Sequence, residues 1–89
     1  MAGQSKIMTK IAKKYSIYSI RNKINGKRYI GYSYHPEKRI EQHRNSKHII
    51  SKAIYKYGWY SFTKQILQKN LTLQQAKKRE RFYIEKFIF

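Results

Sequence analysis

Ile and Tyr crowd the stretch from Tyr15 to Ile24, Asn25-Gly26 interrupts it, and a second such stretch runs from Lys27 to Ser33. Two β-favouring runs joined by Asn-Gly predict a hairpin with a two-residue type I′ turn. That turn sets Ile24 opposite Lys27, Asn22 opposite Tyr29, Ile20 opposite Gly31 and Tyr18 opposite Ser33. Tyr18, Ile20, Asn22, Tyr29, Gly31 and Ser33 then share one face. Tyr15, Ile17, Ile30, Tyr32 and Tyr34 form the other, which is the more continuous apolar face.

Beyond the hairpin the period becomes helical. Pro36 suits a first helical position and predicts a helix over Pro36–Asn45. A second helix over Lys47–Tyr57 puts Ile49, Ile50, Ala53, Ile54 and Tyr57 on one stripe and stops at Gly58. Tyr60 to Leu67 reads as a third strand. Thr72 to Gln75 forms a capping box that opens a last helix, with the stripe Leu73, Ala76, Glu80, Tyr83, Ile84 and Phe87. The order ββααβα predicts an α+β domain, a small three-stranded antiparallel sheet flanked by helices. Residues 1–14, with Lys6, Lys10, Lys13 and Lys14, read as a basic tail ahead of one domain over 15–89.

Charge then narrows the partner. Lys and Arg number 21 against four Glu and no Asp, a formal charge of +17. Such a chain needs a polyanion. Cations spread along the whole length, with no dominant basic amphipathic helix, favour DNA or RNA over a membrane surface. No apolar run exceeds three residues, as in Phe82-Tyr83-Ile84, which predicts neither a membrane span nor a secretory signal. The expected location is therefore wherever DNA is: cytoplasm or nucleoid, an infected cell or an organelle. Zero cysteine removes disulfides, thiol nucleophiles and the usual structural zinc. Ile, Lys, Asn, Tyr and Phe supply 45 of the 89 residues, with no Val, a bias that suggests an AT-rich genome.

The scarce acids bound the chemistry. Two-metal nucleases usually hold their ions with several carboxylates, and only Glu37, Glu41, Glu80 and Glu85 are present. Glu80 is anomalous because it interrupts an apolar stripe, where an unpaired carboxylate is costly or shifts its pKa upward. It is either a salt-bridge partner or a metal ligand facing a cleft; Glu85 lies off the stripe and reads as solvated. Arg39 and His43, spaced i, i+4, project from one side of a helix. They are ordinary surface groups or, together, a phosphate fork beside a group titrating near neutrality. Gly31, between Tyr29 and Ser33 and flanked by Tyr18, leaves a strand interior bare, as a close approach to the backbone requires.

These residues carry a resemblance. Ser16-Ile17-Tyr18, eleven residues from Tyr18 to Tyr29, then Tyr29-Ile30-Gly31 is similar to the paired motif of the GIY-YIG endonuclease family. Arg39 follows Tyr29 by ten residues, His43 follows Arg39 by four, and Glu80 stands within Arg79-Glu80-Arg81-Phe82-Tyr83-Ile84. The likeness covers Tyr15 to Phe87. Ser16 replaces the family's first Gly, and the Asn that relatives commonly carry beyond the Glu has no counterpart before Phe89.

The resemblance implies a DNA endonuclease hydrolysing phosphodiesters with one divalent metal ion, Mg²⁺ or Mn²⁺, and no small-molecule cofactor. It implies Glu80 as the metal ligand, Tyr18 as general base, Tyr29 positioning water or phosphate, and Arg39 clamping phosphate oxygens. His43 would relay a proton or hydrogen-bond Tyr18. The ordinary phenol pKa near 10 is too high for a base, so the nearby metal or cationic groups must lower it. Lys27, Arg28, Arg44 and Lys47 join Arg39 as expected nucleic-acid contacts. Any DNA-recognition domain or oligomer would lie outside this chain. The competing reading is a catalytically idle basic module that binds DNA or RNA; charge fits both, the five spaced residues only the enzyme.

Overall fold

The computed structural model describes residues 14–44 and 49–87. Strand β1 (Tyr15–Asn22) and strand β2 (Arg28–Ser33) lead into helix α1 (Pro36–His43) and helix α2 (Ile49–Tyr57). A 3₁₀ turn (Trp59–Ser61), strand β3 (Phe62–Leu71) and helix α3 (Leu73–Lys86) follow. The sheet is antiparallel in the order β2-β1-β3, so the first strand is central and β2 is an edge. This is the expected α+β architecture in the expected order. The proposed tail apart from Lys14, the predicted helix end at Asn45 and the start at Lys47 lie outside the described residues.

The hairpin register differs from the expected one by two residues. Tyr18 pairs with Gly31, Ile20 with Tyr29 and Ser16 with Ser33. The cause is a longer loop. Asn22 donates its N–H to the Lys27 carbonyl at 2.8 Å and accepts from Gly26 N–H at 2.7 Å, leaving Lys23 to Gly26 between the strands. The Asn22 Oδ1 takes the Ile24 N–H at 2.8 Å and the Asn25 Oδ1 takes that of Lys27 at 2.9 Å. Gly26 has φ +77° but Asn25 does not adopt positive φ, so the turn is not type I′. A shift of two preserves the faces, because side chains alternate with a period of two.

Both faces of the sheet are covered. Tyr18, Ile20 and Phe62 pack with Ile40 of α1 and Ile54 of α2, joined by Tyr29, Ile50, Ala53 and Tyr57. On the other face Ile17, Ile30 and Leu71 pack with Ala76 of α3, joined by Tyr15, Tyr32, Leu67, Tyr83 and Phe87. The α3 capping box forms as expected: Thr72 Oγ1 accepts from Gln75 N–H at 3.1 Å while Gln75 Oε1 accepts from Thr72 N–H at 2.9 Å. Two members of its expected stripe, Leu73 and Ile84, are exposed. Ala76, Tyr83 and Phe87 supply the packed stripe.

Strand β3 begins and ends later than the expected Tyr60–Leu67. The 3₁₀ turn occupies Trp59–Ser61, and pairing with β1 continues to Leu71 opposite Tyr15. Ten residues of β3 face eight of β1, and irregularities near Ile17 absorb the excess. Asn70, at φ 64°, takes the left-handed conformation that Asn tolerates better than most residues. As an edge strand, β3 satisfies its length through backbone pairing, so its polar Gln68-Lys69-Asn70 stretch gives no apolar signal.

Candidate active site

The register brings Tyr18 and Gly31 face to face. Tyr18 is 1% exposed, and a Cβ added at Gly31 would lie 2.5 Å from both its Cζ and its hydroxyl. Gly31 is therefore glycine for space. Its missing side chain lets the Tyr18 ring lie over β2. From there the phenol oxygen reaches His43 Nε2 at 2.8 Å, in a buried hydrogen bond between β1 and the end of α1. Tyr29 packs edge-on against the His43 ring, with centroids 4.8 Å apart, and lies 6.3 Å from the Tyr18 ring. The Ser51 hydroxyl donates to the His43 carbonyl, tying α2 to the same point.

Burial pushes the Tyr18 phenol above its ordinary pKa, and Tyr29 adds to the shift. The Arg39 guanidinium acts in the opposite sense without overcoming it. The expectation that cations lower this pKa is not met in the folded chain alone, because desolvation outweighs one partly exposed guanidinium. At neutral pH Tyr18 keeps its proton. Either the phenol donates to Nε2 or an Nε2–H donates to the phenol oxygen, according to the tautomer; only the first leaves Nε2 free to take that proton.

Arg39 projects from α1 into a cavity of about 250 Å³ lined by Ser33, Tyr34, His35, Lys38 and Gln42. Its Nη1 donates to Gln42 Oε1 at 3.2 Å. No carboxylate lines this cavity, and Lys38 adds a second cation, so it suits an anion such as a phosphate. Lys38 and His35 escaped the sequence reasoning. The available signal was position: Lys38 is next to Arg39 in sequence and His35 one helical turn before it.

Glu80 lies elsewhere. It opens from α3 into a cavity of about 470 Å³ with Tyr32, Lys77, Arg81, Ile84 and Glu85, on the sheet face opposite Tyr18. Both cavities adjoin the edge strand β2, since neighbouring Tyr32 and Ser33 line one each. Among the described residues no cation pairs with Glu80; the ion pair found is Arg44–Glu41 at 3.1 Å. Burial raises the Glu80 carboxyl above its ordinary pKa. Glu85, expected to be merely solvated, lines the same cavity.

A partly desolvated carboxylate that no cation pairs, with a second carboxylate in the same cavity, fits a divalent ion that takes its remaining ligands from water and substrate. Among the described residues no three His, Cys, Asp or Glu side chains form a fuller chelating set. Of the other expected contacts, Lys27 is exposed beside the hairpin loop and Lys47 lies outside the described residues. Arg28 is engaged within the fold, its guanidinium 3.9 Å above the Phe87 ring and donating to Ser19 Oγ at 3.3 Å. Arg44 pairs with Glu41 and lies 5.5 Å above the Trp59 ring.

A ββααβα sheet domain with a buried phenol–imidazole pair, an arginine-lined anion cavity and an unpaired carboxylate along one strand edge has the parts of a nuclease domain. The chain belongs to the GIY-YIG family: residues 14–88 match the GIY-YIG catalytic domain. Nuclease activity is the function that this domain carries. Comparisons with curated proteins and with solved structures returned no match. Among the described residues no helix is long and apolar enough to cross a membrane.

Proposed function

We propose that the chain is a DNA endonuclease that hydrolyses phosphodiesters with the help of one divalent ion, Mg²⁺ or Mn²⁺. The observation that carries this reading is the buried 2.8 Å Tyr18–His43 bond, for which Gly31 clears the space. Packing alone would fill that space with a side chain. In the proposed reaction Tyr18 and His43 work as a relay. As water attacks phosphorus, its proton passes to the Tyr18 oxygen while the phenol proton passes to His43 Nε2. The relay answers the raised phenol pKa, because no free phenolate has to form first. Tyr29, half-buried beside the His43 ring, orients the water or a phosphate oxygen. Arg39, with Lys38 in the same cavity, holds the non-bridging oxygens and opposes the charge that accumulates on them.

Glu80 would hold the divalent ion, which when bound supplies Lewis-acid neutralisation of the scissile phosphate. DNA is the substrate that the +17 charge supports, with affinity falling steeply in salt. The test is nicking of supercoiled plasmid by the purified chain in Mg²⁺. We expect cleavage by the native chain, none by Glu80→Ala and greatly slowed cleavage by Tyr18→Phe. Tight DNA binding without cleavage in any divalent metal would instead establish the non-catalytic binding module.

A further inference from the structure

Three side chains of α3 beside Glu80 differ in what occupies them. Arg79 is used inside the fold: its Nε donates to Gln68 Oε1 at 3.0 Å and its guanidinium lies 4.1 Å above the Phe82 ring. Lys77 and Arg81 are exposed, line the Glu80 cavity, and pair with neither Glu80 nor Glu85. Their i, i+4 spacing puts both on one side of the helix. The cavity thus holds two cations left free for a ligand and two carboxylates, with zero net charge.

We propose that Lys77 and Arg81 form a seat for a backbone phosphate of the DNA strand beside Glu80, so that α3 binds substrate as well as carrying the carboxylate. The proposal rests on the reading of this cavity as the metal-holding one. Charge counting gives the reason. Two carboxylates alone would repel a phosphodiester, and a divalent ion would only cancel them. With Lys77 and Arg81 present, the ion-loaded cavity carries two net positive charges and attracts the backbone. Arg39, on the other side of β2, would hold a different phosphate oxygen set, so the strand would run along the β2 edge between the two cavities.

This arrangement has an unusual signature: the same two cations attract DNA and repel the metal ion. In Lys77→Gln/Arg81→Gln, affinity for a short labelled duplex in chelator, read by fluorescence anisotropy, should fall roughly tenfold with a salt slope shallower by about one to two. Mn²⁺ binding without DNA, read by electron paramagnetic resonance, should tighten by roughly threefold as the nearby repulsion disappears. Both positions are exposed, so the fold should be unaffected. Lys52→Gln/Lys56→Gln, on α2 at the opposite face, should leave Mn²⁺ affinity unchanged. The proposal is overturned if Mn²⁺ affinity in the Lys77/Arg81 variant is unchanged or weaker, or if duplex affinity falls no more than in the α2 control. If Glu80→Gln binds Mn²⁺ like the native chain, the metal reading of the cavity fails first, and the phosphate seat with it.

Discussion

Gly31→Ala adds one methyl group and should disable the site. The new Cβ would sit 2.5 Å from Tyr18 Cζ and from its hydroxyl oxygen, where an ordinary contact is about 3.5–4.0 Å. The ring must therefore retreat by about 1 Å, and at 1% exposure it has little room to do so. That shift breaks the 2.8 Å bond to His43 Nε2. Overpacking costs about 1–3 kcal/mol and a buried polar group left unsatisfied about 1–3 kcal/mol more, so destabilisation of about 2–6 kcal/mol is expected. Misplacing a reacting group by about 1 Å costs on the order of 10²-fold in turnover. Urea unfolding followed through the single tryptophan, Trp59, gives the first quantity, and single-turnover plasmid cleavage the second. In a Tyr18→Leu background, which removes the two clashing atoms, Gly31→Ala should cost within about 0.5 kcal/mol. Native-like stability and turnover in Gly31→Ala alone would refute the argument that this glycine exists to seat Tyr18.

Three further outcomes follow from the same geometry. Tyr18→Phe keeps the ring and removes the relay oxygen, so single-turnover cleavage should slow by about 10²–10⁴-fold. Its stability should change by no more than about 1.5 kcal/mol, with the almost fully exposed Tyr55→Phe as an inert comparison. Arg39→Ala should lower turnover by roughly 10²-fold, against a far smaller effect of Lys69→Ala on the exposed end of β3; equal small losses would make Arg39 one cation among many. Glu80→Gln should abolish cleavage yet raise the thermal midpoint near neutral pH. Burial raises the Glu80 pKa in the folded chain, so stability falls as pH rises from the unfolded pKa through the folded one. Replacement by Gln removes that loss above the window and gains nothing below it. Melts at both ends that show no pH-dependent difference would contradict the desolvated carboxylate.

Local patterns in the sequence determined much of this protein. The order ββααβα, the Thr72–Gln75 capping box, the stop at Gly58 and the membership of each hairpin face follow from periods of two and 3.6 and from residues with strong local preferences. The spacing of Tyr18, Tyr29, Arg39, His43 and Glu80 was legible too, because the family places these residue types at similar intervals. The face assignment survived a wrong register because a slip of two leaves every side chain on its own side.

Tertiary structure decided what those patterns left open. Asn22 and Asn25 side chains capture backbone N–H groups, lengthening the loop and setting Tyr18 across from Gly31. Packing between α1 and the sheet buries Tyr18 and raises its pKa, which no local pattern reports because desolvation is the work of residues distant in sequence. The same holds for Glu80. Its place on a helical stripe marked it as anomalous, but only the docking of α3 against β2 made its surroundings a cavity shared with Tyr32, Lys77 and Arg81. Arg28 and Arg81 look alike in sequence; the fold lays one over Phe87 and leaves the other exposed at the cavity. Periodicity belongs to single elements, whereas register, burial and the grouping of charges exist only once elements far apart in the chain have packed together.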